Sequence, residues 1–280
     1  MAAQGDVEAD LGFLQRIDLY ETEKPYTLQY FPDDESFPRT NCATARRSKI
    51  KLRDLRAHEK EPTIDTEGFE ILQLDSAMQY ADFGSTETIQ HKYYPEIKTL
   101  LQAHFQPQRI EILEHNIRKR HRTFPIATGT DYHDLQPTTR VHVDYTESSM
   151  VEAAYKYLDV RADQFDRIVA LNVWRTLKGP LMDWPLAMCS AKTVDYATDL
   201  IACDLVNRTS YSENMQVHYN ANHEWWYLSG QLTSELLVFR QADTSREQVA
   251  GVPHTGFKHP KTTDQDHPRE SIELRAFLFF

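Results

Sequence analysis

The chain reads as an α+β protein that is mainly β, a sandwich or barrel of short strands with supporting helices. Three observations predict it. From about residue 166 short β-rich runs follow one another, separated by turn and loop segments. Two helix-period stretches precede them. There are only nine glycines and no two are spaced as G-x-G, so neither the Rossmann nor the Walker phosphate loop is present.

Taken in order, residues 1–60 are mixed and loop-rich, with strand candidates at 27–31 and 49–52. Ile89, Tyr93, Ile97, Leu100, Leu101 and Phe105 recur at helical spacing and predict a helix over 86–105, with Pro95 marking a break or restart. Residues 108–117 alternate as a strand. Residues 148–158 read as a helix with Ser148 or Ser149 as N-cap. The β-rich runs are 167–174, 186–189, 215–219, 224–228, 236–239 and 271–280. The expected organisation is one domain over 1–280. Residues 1–135 form a helical and loop-rich N-terminal part, and 136–280 supply most of the core.

The chain has 280 residues, ample for a sizeable core. Hydrophobic residues at 40% and charged residues at 26% fit a globular protein. A formal charge of −11 argues against nucleic acid or an anionic membrane as partner. The acidic first ten residues lack the pattern of a secretory signal, and no apolar run is long enough to span a bilayer. Three scattered cysteines, Cys42, Cys189 and Cys203, form neither a metal framework nor a disulfide scaffold. A reducing cytoplasm is therefore the expected setting, Cys189 and Cys203 read as small buried hydrophobes, and a homodimer is allowed.

Chemistry concentrates in Arg140-Val141-His142-Val143-Asp144-Tyr145-Thr146. Side chains two apart on an extended segment share a face, so His142 and Asp144 point the same way. An imidazole and a carboxylate so placed are two of the three ligands of a 2-His-1-carboxylate iron site. The third must be a downstream histidine: His218, His223, His254, His259 or His267. His254, just ahead of the last strand, is favoured, with His218 or His223 as the alternative. Beyond it, Arg269-Glu270-Ser271 sets a guanidinium and a hydroxyl on one strand face. A guanidinium takes a carboxylate through two parallel hydrogen bonds and the hydroxyl adds a third, which suits the distal carboxylate of 2-oxoglutarate. Arg275 falls on the same face and could hold a second carboxylate or pair with an acid.

Several stretches carry a family resemblance: Pro38-Arg39-Thr40-Asn41, Tyr93-Tyr94-Pro95-Glu96, Arg140 to Asp144, Asn172-Val173-Trp174-Arg175, Gly179-Pro180, Trp184 to Cys189, His223 to Tyr227, Pro253-His254-Thr255 and Pro268 to Arg275. As an ordered set they resemble the hydroxylase/desaturase group typed by gibberellin GA4 desaturase-like and cephamycin methoxylation-type proteins. The resemblance covers nearly the whole chain. It implies a double-stranded β-helix (jelly roll, cupin-like) core and a non-haem Fe(II), 2-oxoglutarate-dependent dioxygenase that consumes O2. His142, Asp144 and His254 match its iron ligands and Arg269 its cosubstrate anchor. Its implied reaction is hydroxylation, desaturation or oxidative cyclisation of a small natural-product or amino-acid-derived molecule. Tyr145, where the group more often has Gln, departs from the pattern.

Other residues read two ways. Arg175 ends an apolar strand, so it meets a substrate carboxylate or pairs with Asp183 or Asp243. Tyr145 and Arg120 are further substrate-binding candidates, although the basic cluster Arg118 to Arg122 also reads as a solvated strand end. Trp225, Trp226 and Tyr227 read as sheet packing. Two other functions stay open: a non-catalytic partner protein, and a methyltransferase, against which the missing G-x-G loop counts.

Overall fold

The computed structural model describes residues 5–34, 36–58, 61–126, 132–245 and 251–280. Its strands are β1 (Val7–Leu14), β2 (Tyr26–Leu28), β3 (Thr44–Asp54), β4 (Phe69–Gln73), β5 (Arg109–Lys119), β6 (His142–Val143) and β7 (Ile168–Thr176). They continue as β8 (Leu186–Cys189), β9 (Leu200–Val206), β10 (Tyr211–Val217), β11 (Trp225–Tyr227), β12 (Glu235–Asp243), β13 (His254–Gly256) and β14 (Glu270–Phe279). The two long helices are α1 (Tyr94–Phe105) and α2 (Glu147–Leu158).

The strands make two sheets. One has nine strands in the order β1-β3-β11-β8-β13-β6-β10-β9-β2, and the other five in the order β4-β12-β7-β14-β5. The sheets face each other as a mainly β, jelly-roll core. The first 135 residues carry β1 to β5 and enter both sheets, so the N-terminal part is woven into the core rather than set beside it.

All nine residues of β7 are buried, because both faces of the five-stranded sheet are covered. Val169, Leu171 and Val173 point outward and pack with Tyr93, Ile97 and Leu101 of the helical layer. Burying such an aliphatic side chain contributes roughly 1.5–3 kcal/mol. The intervening Asn172 and Trp174 therefore point inward, toward the nine-stranded sheet. At one end of the sandwich α2 lays Met150, Ala153 and Ala154 on Ala170, Phe277 and Phe279.

Two local readings need correction. Pro95 does not break its helix: Thr86–Thr88, a π-turn at Ile89–Tyr93 and α1 run on continuously. A proline ring clashes with the carbonyl four residues back, and the wider π-turn just before Pro95 relieves that clash. The N-cap of α2 is Thr146, not Ser148 or Ser149. Its hydroxyl accepts from the Ser149 amide, while the Ser149 hydroxyl accepts from the Thr146 amide. Trp225 and Tyr227 are buried sheet residues.

Candidate metal centre

β6 is hydrogen-bonded to both β13 and β10, and His142 lies directly opposite His254. Opposed residues of an antiparallel pair share a face. The two imidazole centroids are 4.4 Å apart, and Asp144 joins them from two residues along. The three ligand atoms all lie within 4.8 Å of one another. His142 Nε2 is 3.4 Å from Asp144 Oδ1.

Both rings are turned the same way. His142 Nδ1 lies 2.9 Å from the Arg140 carbonyl, and His254 Nδ1 lies 3.1 Å from the Val252 carbonyl. A carbonyl only accepts, so each Nδ1 carries the proton and each Nε2 keeps its lone pair for a cation. Burial and the neighbouring His142 push the His254 imidazole down to about 3, which keeps it neutral. Burial works against the Asp144 carboxylate. Arg275, followed by the two histidines, nevertheless holds its carboxyl well below the usual carboxylate range. Two imidazoles that each turn Nε2 inward and one carboxylate on one face suit ferrous iron.

The facing sheet braces this set. Asn172 Nδ2 donates to Asp144 Oδ2 at 2.6 Å. Arg275 Nη2 is 3.4 Å from Asp144 Oδ1, and its Nη1 donates to Glu114 at 2.6 Å. Gln241 braces from the side. Its Oε1 accepts from the Asp144 amide at 2.7 Å, and its Nε2 donates to the carbonyls of Arg240 and Val252 at 3.2 and 3.5 Å. Gln241 thus ties the Asp144 backbone to the same Val252 carbonyl that orients His254. It reaches inward because β12 bulges between Arg240 and Ala242. Gly251 permits the approach, since a Cβ there would come within 2.2 Å of the Gln241 carbonyl. Gln241→Ala is expected to weaken Fe(II) binding roughly 10- to 100-fold. Anaerobic metal titration of the folded variant checks this, and unchanged affinity would remove Gln241 from the site.

Arg269 lies beyond the triad in the same cavity, with Arg118, Thr138, Trp174 and Glu273. The residue is 3% exposed. Its Nε donates to Ser271 Oγ at 3.3 Å and its Nη1 to the Trp184 carbonyl at 3.3 Å, and it stands 5.2 Å over the Trp174 ring. Burial and Arg118 push its guanidinium down to about 9, still charged at neutral pH. Gly256 leaves room for it, since a Cβ there would come within 2.8 Å of Nη1. Glu273, on the same strand face, has its carboxyl pushed up by burial and by Asp144.

The structure thus gathers His142, Asp144, His254, Arg269, Ser271 and Arg275. Arg275 is already engaged with Glu114 and Asp144, so it braces a ligand rather than reaching for the cosubstrate. Tyr145 packs beneath Arg275 and against Phe277, lining a second cavity that reaches Asp144. Arg175 does not reach the site. Strand alternation turns it outward, 5.3 and 5.4 Å from the Phe83 and Tyr93 rings under the helical layer. Neither Asp183 nor Asp243 pairs with it: Asp183 takes Arg120, and Asp243 takes Arg167 at 2.5 Å. Arg120 is spent on Asp183 and on carbonyls of its own loop, so it too is turned from a substrate role. Asp183 accepts the Arg269 amide at 2.9 Å, which links Arg120 to the anchor indirectly. His218 donates to the Leu14 carbonyl, and His223 sits on the buried Asp199, both away from the triad. His259 packs by Tyr227 and Phe257. Sequence reasoning missed Asn172 as a ligand brace and Gln241 altogether. Asn172 had a usable signal, since it shares a strand face with Trp174.

A family model described as "Oxidoreductase/YMDC permease-like domain" matches residues 11–279. The alpha-ketoglutarate-dependent dioxygenase tstK of Talaromyces stipitatus is 27% identical, over 93% of this chain and 98% of the relative. The hydroxylase/desaturase efuI of Hormonema carpetanum is 25% identical, over 82% and 83%. The solved structure of the iron and alpha-ketoglutarate-dependent endoperoxidase NvfI superposes with a TM-score of 0.84 at 22% identity, covering 99% of this chain and 98% of that one. Its likeness establishes the shared fold. Among the described residues no helix is long and apolar enough to cross a membrane.

Proposed function

This chain belongs to the oxidoreductase/YMDC permease-like family, and from that premise we propose that it is a non-haem Fe(II), 2-oxoglutarate-dependent oxygenase acting on a small molecule. The observation that carries the reading is Arg269. Among the described residues this buried guanidinium hydrogen-bonds only a hydroxyl and a carbonyl and lies over a ring, with the acids Glu273 and Asp183 near but not bonded to it, so a bound anion would complete it. It shares its cavity with the triad. 2-Oxoglutarate offers both a distal carboxylate for Arg269 and a 2-oxo acid end for a metal.

In this reading His142, Asp144 and His254 would hold Fe(II). When bound, the iron, 2-oxoglutarate and O2 together supply an oxidising equivalent as the cosubstrate becomes succinate and carbon dioxide. The chain's own part is positioning. Arg269 and Ser271 fix the cosubstrate. Asn172, Arg275 and Gln241 hold the ligands, and the Trp174 ring closes the pocket against water.

The substrate seat is the cavity of about 460 Å³ between α2, β5 and the β9–β10 pair. Its floor is Asp144, Tyr145 and Arg275, and Tyr157 and Tyr211 stand at its mouth. Hydroxylation, desaturation and cyclisation all remain open to such a site. We place the chain with the GA4 desaturase-like and cephamycin methoxylation-type group, supported by the ordered motifs and the hydroxylase/desaturase relative. Residues 1–280 act as one oxygenase domain, since both sheets draw on both halves of the chain. The charge of −11 disfavours nucleic acid and anionic membranes as partners.

The test is turnover by the isolated chain. Incubated in air with Fe(II), 2-oxoglutarate and candidate metabolites, it is expected to form succinate only when iron and cosubstrate are both present. No succinate from the folded, metal-loaded chain with any candidate would favour a non-catalytic partner protein.

A further inference from the structure

Cys42 and Cys203 are far apart in sequence, yet their Sγ atoms are 3.7 Å apart. The topology makes this meeting. β2 is the terminal strand of the nine-stranded sheet and runs parallel to β9, which carries Cys203. Thr27 of β2 also bridges Thr40, folding the following segment back over that edge. Asn41 fixes the segment: its Oδ1 accepts from the Tyr26 amide at 2.8 Å and its Nδ2 donates to the Lys24 carbonyl at 3.1 Å. The Ala43 amide donates to the Tyr20 hydroxyl at 2.7 Å. Both sulfurs are therefore held on ordered backbone. All three cysteines are free thiols.

We propose that Cys42 and Cys203 form a peroxide-sensitive dithiol site, with Cys42 as the attacking thiol and Cys203 as the resolving one. Access assigns the roles, since Cys42 is half-buried and Cys203 fully buried. Chemistry assigns them the same way. The hydrogen bond from Cys203 lowers the Cys42 thiol to about 5 against the effect of burial, helped by Thr40 and the Arg140 guanidinium. Cys203 is pushed up by that same bond and by burial. A thiolate near a fixed cation is the form that attacks.

The oxidant is a hydroperoxide, ROOH. The Cys42 thiolate attacks one oxygen, the O–O bond breaks, and the leaving alkoxide takes a proton to become ROH. Cys42 is then a sulfenic acid. Cys203 sulfur attacks Cys42 sulfur, the S–O bond breaks, and the departing hydroxide takes the Cys203 proton and leaves as water. Two thiols and ROOH thus give one disulfide, ROH and water. The sulfurs close by about 1.7 Å to reach bonding distance, within reach of side-chain rotation. The bond staples the outer edge of the nine-stranded sheet. Cys189 is the internal control: it is fully buried, and burial pushes its thiol up to about 12.

This inference does not depend on the oxygenase reading. The full chain is treated with one equivalent of hydrogen peroxide, quenched, unfolded and assayed for thiols and intact mass. Loss of two thiols with the mass of two hydrogen atoms is expected, Cys189 staying free, together with a cross-linked peptide pair reversed by dithiothreitol and a melting temperature raised by several degrees. Cys203→Ser should trap a sulfenic acid at Cys42, and Cys42→Ser should not react. Three intact thiols, oxidation of Cys42 without the cross-link, or a bond between chains would each overturn the proposal.

Discussion

Replacing Arg269 with Gln is expected to raise the KM for 2-oxoglutarate at least about a hundredfold. Each charge-assisted hydrogen bond contributes roughly 1.5–3 kcal/mol, and the bidentate contact supplies two. The stability of the unliganded chain should move little or rise. Among the described residues no carboxylate is hydrogen-bonded to the Arg269 guanidinium, which only feels the nearby Glu273 and Asp183 at longer range, so removing it breaks no direct buried ion pair. A structural ion-pair arginine behaves in the opposite way, since breaking a buried pair costs about 3–5 kcal/mol. Cosubstrate kinetics and a thermal melt of the variant separate the cases. A large loss of stability with unchanged KM would return Arg269 to a structural role.

His254→Ala is expected to lower Fe(II) affinity more than about a hundredfold, beyond what loss of a ligand brace costs. The variant should stay folded, while the rise in melting temperature on adding metal should vanish. His218→Ala and His223→Ala should keep metal binding, because both imidazoles are used elsewhere. His223→Ala should lose stability instead, since it removes a partner of the buried Asp199. Full metal affinity in His254→Ala would displace it from the triad.

What the sequence made legible follows the range of the forces involved. His142 and Asp144 could be paired on paper because a strand's period of two is local. Arg269 and Ser271 were legible for the same reason. His254 was favoured among the later histidines from its place ahead of the last strand and from the family resemblance, not from periodicity, because its meeting with His142 depends on the register of two very short strands brought together from distant parts of the chain. β6 and β13 are too short to leave a periodic pattern. Gln241 was invisible because a bulge breaks the alternation that would have placed it. The same alternation could have excluded Arg175, an odd number of positions from the inward Asn172 and Trp174. Its charge on an apolar strand drew attention to a pocket, whereas the structure places its guanidinium beside two aromatic rings under the helical layer. β1 hid behind an acidic N-terminus, although Leu11, Phe13 and Leu14 are buried.

The central claim is that His142, Asp144 and His254 hold one iron whose cosubstrate is seated by Arg269. Anaerobic addition of Fe(II) and then 2-oxoglutarate to the whole chain tests it most directly. A visible metal-to-ligand charge-transfer band should appear only with both present, weaken in Arg269→Gln at limiting 2-oxoglutarate, and be absent in His254→Ala. A folded chain that gives no such band at saturating iron and 2-oxoglutarate would contradict the account.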